Sequence, residues 1–178
     1  MEGKRTNKKF FSFKYVLPST FSSILLISQI IFGIYFLPTI NQNEMLAYLG
    51  VAIYVFSGFI FGMLPIFEFH RKGKVRPGKS YIHTTKLVDT GIYSIVRHPQ
   101  YITFILFTIA GILLFQQWMV VIIGFPIILL TYIDLIIADK DGLQKFGDEY
   151  KEYMKKVPRS NLLLGIIRYF LRKNNKVY

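Results

Sequence analysis

Residues 99–133 read PQYITFILFTIAGILLFQQWMVVIIGFPIILLTYI, 35 positions without a charged side chain. As one helix the stretch would rise roughly 50 Å. The hydrocarbon core of a bilayer is only about 30 Å thick. Gln116-Gln117-Trp118 interrupts the run at its middle. The spacing therefore predicts a tight hairpin of two short helices, Tyr101–Phe115 and Trp118–Ala138, with Trp118 at the membrane interface. Two further uncharged stretches precede it, Tyr15 to Asn43 and Met45 to Phe67, each long enough for one crossing. All three are apolar all round, whereas the helix of a soluble core is apolar along one stripe. The chain reads as an all-α integral membrane bundle of about four transmembrane helices, in a single membrane domain.

The basic residues give the orientation. Residues 1–14 hold five Lys and Arg, and His70–His98 holds seven. Residues 139–178 hold the other ten of the 22. The loop Pro38–Glu44 and the glutamine turn hold none. Basic residues collect on the cytoplasmic side, so four spans with both termini cytoplasmic in a cell membrane are expected. The net charge of +12 is then explained by topology and by attraction to anionic lipid. A nucleic-acid partner is not expected, because such proteins intersperse bases with apolar residues, and here the two are segregated. The basic start ahead of an apolar run resembles a signal peptide. No small-x-small cleavage site follows Gly33, which favours an uncleaved anchor. The absence of cysteine excludes disulfides and thiolate metal ligation. His70 and His83 lie in a basic loop without supporting ligands, so no metal site is expected.

Two segments follow the hairpin. Over Asp139–Val157, apolar residues at Leu143, Phe146, Tyr150, Tyr153, Met154 and Val157 form a helical stripe, with a possible break at Gly147. Residues 161–173 are short for a span and carry Arg168 and Arg172, which predicts an interfacial helix. Gly58 and Gly62 form a GxxxG pattern whose usual cause is close packing within a bundle, a dimer face being the other. Oligomeric state is not legible.

The segment with chemical content is 87–101, LVDTGIYSIVRHPQY. Asp89-Thr90-Gly91 is turn chemistry. Tyr93, Arg97 and Tyr101 are four apart, and share one face if Ile92–Val96 is helical. Pro99 suits a first helical position. That sets Arg97-His98 where a helix presents unpaired N–H groups, a place suited to a polar ligand held against the membrane. An interfacial belt of Tyr and Arg would look similar.

This segment resembles the signature of the isoprenylcysteine carboxyl methyltransferase and phospholipid methyltransferase superfamily. The resemblance rests on Gly91-Ile92-Tyr93 and Arg97-His98-Pro99-Gln100-Tyr101, followed by the hairpin. Phe146-Gly147-Asp148-Glu149-Tyr150-Lys151-Glu152-Tyr153 and Val157-Pro158-Arg159 complete it. It covers about residues 85–160. It implies methyl transfer from S-adenosylmethionine to a lipophilic, membrane-embedded acceptor at the cytoplasmic face. The acceptor group would be a carboxylate, a headgroup amine or a hydroxyl. Residues 86–160 would then be the cofactor-binding half, 1–85 the N-terminal spans and basic loop, and 161–178 the interfacial C-terminal part.

The resemblance also implies roles. Arg97 and His98 are the candidate catalytic residues, Arg97 to orient an anionic substrate by a two-point contact and His98 as a base for a phenol or amine. Leu87, Gly91, Tyr93, His98, Pro99, Tyr101 and Asp139 are the candidate cofactor residues. Tyr93 or Tyr101 would hold a sulfonium by cation–π attraction. His98 would reach the cofactor's carboxylate or ribose, and Asp139 its amino group or ribose hydroxyls. No G-x-G-x-x-G loop is present, so a soluble Rossmann methyltransferase is not expected. The chain departs from the family pattern at three places. Thr103 stands where glycine is usual, Ala138-Asp139 replaces a Glu-Glu pair, and Ile92 stands where proline is common. Asp134 and Asp141 share a helical face and are substitute carboxylates. These exchanges raise an inactive relative as one alternative. A nicotinamide-dependent reductase of the related sterol-reductase type is another, although such proteins usually carry Asn where this chain has Gln100.

Overall fold

Seven α-helices run through the described residues. In the computed structural model, which describes residues 13–36, 42–74 and 85–174, they are α1 (Phe13–Phe36), α2 (Glu44–Ser57), α3 (Leu64–Lys72), α4 (Pro99–Phe115), α5 (Trp118–Phe146), α6 (Asp148–Lys156) and α7 (Leu162–Asn174). The basic run before residue 13 lies outside the described residues, as do Pro38, Arg76, Lys79 and His83. No strand occurs among the described residues. Leu17–Phe36, Glu44–Lys72 and Trp118–Phe146 are long and apolar enough to cross a membrane. Pro99–Phe115 is an apolar but shorter helix. With its 17 residues it rises only about 25 Å. Together these make the expected helical membrane bundle.

The α4–α5 hairpin turns where the glutamines interrupt the apolar run. Gln116 takes a left-handed conformation (φ 51°) and its N–H donates to the Ile112 carbonyl, closing α4. Both glutamine side chains then serve neighbouring helix ends. The Gln116 amide donates to the Asn43 carbonyl and accepts from the Asn43 N–H, each at 2.9 Å. Gln117 Nε2 donates to the Phe36 carbonyl at 2.8 Å, and Gln42 Nε2 to Leu114 at 2.9 Å. The ends of α1 and α2 are thereby tied to the hairpin through backbone groups that helix termini leave unpaired.

Within the bundle α2 packs on α4, α4 on α5, and α5 on α1. Small residues let the backbones approach. A Cβ on Gly50 would meet the Ala110 carbonyl oxygen and the Leu114 nitrogen, both at 2.8 Å. Buried Gln29 of α1 donates to the carbonyls of Thr108 and Val120, linking α1 to both arms of the hairpin. Between α2 and α3 the helix is continuous but passes through a π-helical turn, Gly58–Met63. Gly58 faces Phe107 and Gly62 faces Thr103. The GxxxG pattern therefore packs inside the bundle, against α4.

Two expectations need correction. The second hairpin arm does not end at Ala138. The α5 helix continues through Gly142 to Phe146 and closes at Gly147, which takes φ +57°. The stripe expected on one helix is thus divided between two, α5 and α6. Its six residues still gather, with Tyr150, Tyr153 and Val157 forming a buried cluster on which Leu143, Phe146 and Met154 pack. Secondly, the segment before α4 is not α-helical over Ile92–Val96. A short 3-10 turn, Gly91–Ser94, gives way to irregular chain up to His98. Gly91 sits at φ +59°, so the turn departs from the helical path at its first residue. Tyr93, Arg97 and Tyr101 consequently share no helical face.

Candidate active site

Pro99 opens α4 at the first-turn position that needs no donor. The two residues before it bond across to the segment after α6. The Arg97 N–H donates to the Pro158 carbonyl at 3.1 Å, and that of His98 to the Arg159 carbonyl at 3.3 Å. Tyr153 Oη donates to the Tyr93 carbonyl at 2.6 Å. Thus α6 and Val157-Pro158-Arg159 clasp the stretch from Tyr93 to His98.

Beneath that stretch lies Asp139 on α5, only 3% exposed. Its Oδ2 accepts from Arg97 Nη2 at 3.0 Å and from Arg159 Nε at 2.6 Å. Its Oδ1 accepts from His98 Nε2 at 2.7 Å and from Tyr150 Oη at 2.9 Å. Two carboxylate oxygens offer about four lone-pair sites, so four protein donors occupy this carboxylate. Two guanidinium charges face one buried carboxylate, that of Arg97 buried and that of Arg159 partly exposed, and the cluster carries a net positive charge. Burial holds the His98 imidazole below its usual range, against the opposing pull of Asp139. A carboxylate only accepts, so the proton of the neutral ring is assigned to Nε2 and the lone pair to Nδ1. Burial and the adjacent Asp139 keep the Tyr150 hydroxyl protonated far above neutral pH.

A cleft of about 130 Å³ opens above the cluster, lined by Phe69, Tyr93, Arg97, His98, Pro99, Gln100 and Tyr101. Phe69 of α3 stacks on Tyr93 with ring centroids 4.7 Å apart. Tyr101 meets the His98 ring edge-on at 5.9 Å. Arg97 is 8% exposed, and its Nε is a buried donor with no hydrogen-bond partner. The cleft thus combines aromatic faces with an unused cationic donor.

Of the residues singled out in the sequence, Tyr93, Arg97, His98, Pro99 and Tyr101 line this cleft, and Asp139 supports two of them from below. Leu87 instead packs in the apolar cluster with Tyr150 and Tyr153. Gly91 forms the turn against Glu68, which a Cβ there would strike. Thr103 is buried against Gly62, so the close approach for which glycine is usual at this position is provided by the facing helix. Asp134 is buried and Asp141 half-buried on α5, and the four donors converge on Asp139 instead. Sequence reasoning missed Phe69, Tyr150 and Arg159. The last two lay inside the quoted Phe-Gly and Val-Pro-Arg motifs, where Tyr150 was read only as part of an apolar stripe. Phe69 had no signal, since its place at the site comes from the packing of α3 on the 3-10 turn.

The chain is 30% identical over 94 residues to the protein-S-isoprenylcysteine O-methyltransferase of Schizosaccharomyces pombe. That match takes in 47% of this chain and 39% of the relative, so the chain spans well under half of the protein it resembles. No solved structure matches it. Residues 79–144, which hold the Arg97–Tyr101 motif, the α4–α5 hairpin and Asp139, match the model of the isoprenylcysteine carboxyl methyltransferase family.

Proposed function

We propose that the protein transfers a methyl group from S-adenosylmethionine to a lipophilic acceptor at the cytoplasmic face of a membrane. The observation that carries this reading is the cleft at the start of α4, where aromatic faces meet Arg97 and His98 beside apolar helices. S-adenosylmethionine, when bound, supplies an activated methyl on a positively charged sulfur. The residues present fit such a group. Tyr93, Tyr101 and Phe69 line the cleft with aromatic rings suited to a cation, one face each of Tyr93 and Phe69 being taken by their mutual stack. The unpartnered Arg97 Nε offers a charge-assisted bond to a carboxylate. Asp139 serves here as a positioning residue, since four protein donors already occupy it. It fixes the Arg97 fork and aims the bare Nδ1 nitrogen of His98 away from itself.

Alignment and exclusion of water are the protein's main contributions to such a transfer. A carboxylate acceptor, as on the prenylcysteine named for the relative, needs no base. For a hydroxyl or amine acceptor, His98 Nδ1 takes the proton. The apolar surroundings of the cleft suit an acceptor whose tail lies in the bilayer. The basic segments on either side of the hairpin support a cytoplasmic site and cytoplasmic termini.

Calorimetry on the detergent-purified chain tests the reading. S-adenosylmethionine is expected to bind in the micromolar range. Binding should vanish in an Arg97→Ala, His98→Ala double variant, with NADPH as the control. Binding of NADPH alone would make the protein a reductase. A well-folded protein that binds neither would remove the enzyme reading.

A further inference from the structure

The α7 helix is amphipathic in an inverted sense. Its polar side turns inward. Arg172 donates to the carbonyls of Ser94 and Lys156, and Arg168 donates to that of Lys155. On the same side Gly165 lies directly against the Ile95 carbonyl, where a Cβ would collide, and Leu162 packs beside Phe61 and Ile102. Its apolar side faces out. Leu163 is 76% exposed, Ile167 and Phe170 56% each, and Leu171 59%. A water-facing helix would show the opposite pattern. At 13 residues the helix is about 20 Å long, too short to span a bilayer.

We infer that α7 lies in the plane of the membrane surface, its outer face sunk into the headgroup–acyl boundary, and braces the site loop from there. Two observations select lipid as the occupant. The helix begins against the buried cluster of Phe61, from the membrane-crossing segment Glu44–Lys72, and Ile102 of the shorter apolar helix α4, so its exposed apolar face lies at the flank of the apolar bundle. Lys173 at its outward edge and the net charge of +12 complement anionic lipid headgroups. The brace has a defined point of action. Arg172 holds the carbonyl of Ser94 and Gly165 packs against that of Ile95, immediately before Val96, Arg97 and His98. Arg168 and Arg172 also satisfy the last carbonyls of α6, the helix that bears Tyr150 and Tyr153. Seating α7 in the membrane thus fixes both halves of the clasp around the cleft. The inference does not depend on methyl transfer, and its tests read position and protection instead of activity.

The position test uses the single tryptophan. A Trp118→Phe, Phe170→Trp chain is reconstituted into vesicles of phosphatidylcholine and phosphatidylglycerol whose acyl chains carry bromine at different depths. Fluorescence should be quenched strongly by bromine near the headgroups and weakly by bromine near the bilayer centre. Stronger quenching from the centre would mean that α7 enters the membrane. No quenching would mean that water or protein covers it, a second copy included. Either result overturns the inference. The brace is tested by deuterium uptake of residues 93–98 in the same vesicles. An Arg172→Gln variant and an Ile167→Lys, Phe170→Lys variant should both raise uptake over the parent. If the second variant leaves uptake unchanged, membrane seating does not support the loop, and that part of the inference is lost.

Discussion

Asp139 concentrates the interactions of the site in one side chain. Its two oxygens bind Arg97, Arg159, His98 and Tyr150, contributed by three separate segments of the chain. Asp139→Asn removes the negative charge while leaving two guanidiniums in place, one of them buried. Breaking a buried pair in this way costs about 3–5 kcal/mol. A loss of that size is expected in denaturant unfolding of the purified protein. Arg159→Gln should cost less, because that side chain is partly exposed. His98 sets a pH dependence. Its imidazole is held below the ordinary value by burial, against Asp139 and with the help of Arg97 and Arg159. The unfolded chain therefore binds the proton first as pH falls. The stability from neutral His98 is present above the unfolded value, about pH 6.5, and is lost progressively below it. The melting temperature should drop between about pH 7 and pH 5, and His98→Gln should flatten that drop. An unchanged slope in the variant would assign the dependence to another group.

At the scale of elements, the hairpin turn does more than reverse the chain. Gln117 satisfies the carbonyl of Phe36 at the end of α1, and Gln116 brackets Asn43 ahead of α2. Gln117→Ala leaves the Phe36 carbonyl without this donor. A loss of about 1 kcal/mol is expected in unfolding, against almost none for the exposed neighbour Trp118→Phe. The break at Gly147 matters for another reason. It folds α6 back so that Tyr150 covers Gly142 and reaches Asp139. A helix continuing past Phe146 would carry Tyr150 away from the site.

Across the whole molecule, the cleft depends on how closely α2 and α4 approach. Gly50 meets backbone atoms of Ala110 and Leu114, which cannot rotate aside. Gly50→Leu must therefore part the two helices, at a cost of about 1–3 kcal/mol or more from overpacking. Because α4 begins at Pro99 and α3 carries Phe69, that shift should also weaken ligand binding at a site on the far side of the bundle. Unfolding and calorimetry on one preparation measure the two effects. Retention of full affinity despite a large loss of stability would show that the cleft is independent of the bundle's spacing.

The amino-acid sequence by itself determined the spans, the hairpin turn at Gln116-Gln117, the start of α4 at Pro99 and the apolar stripe that gathers around Tyr150, though not the place of Leu87 in that cluster. These follow from local rules. A chain in hydrocarbon must satisfy its backbone internally, so uncharged runs of sufficient length become helices, and proline or paired glutamines mark where they start and turn. The convergence on Asp139 was decided only by the tertiary structure. Nothing local says that Arg97 and Arg159 meet one carboxylate, because that meeting requires α5 to run on to Phe146 and α6 to fold back over it. The same holds for Phe69, which reaches Tyr93 through helix packing, and for α7. Its composition gave an amphipathic helix, but which side faces the protein was fixed by the free carbonyls of Ser94, Lys155 and Lys156, which drew its arginines inward.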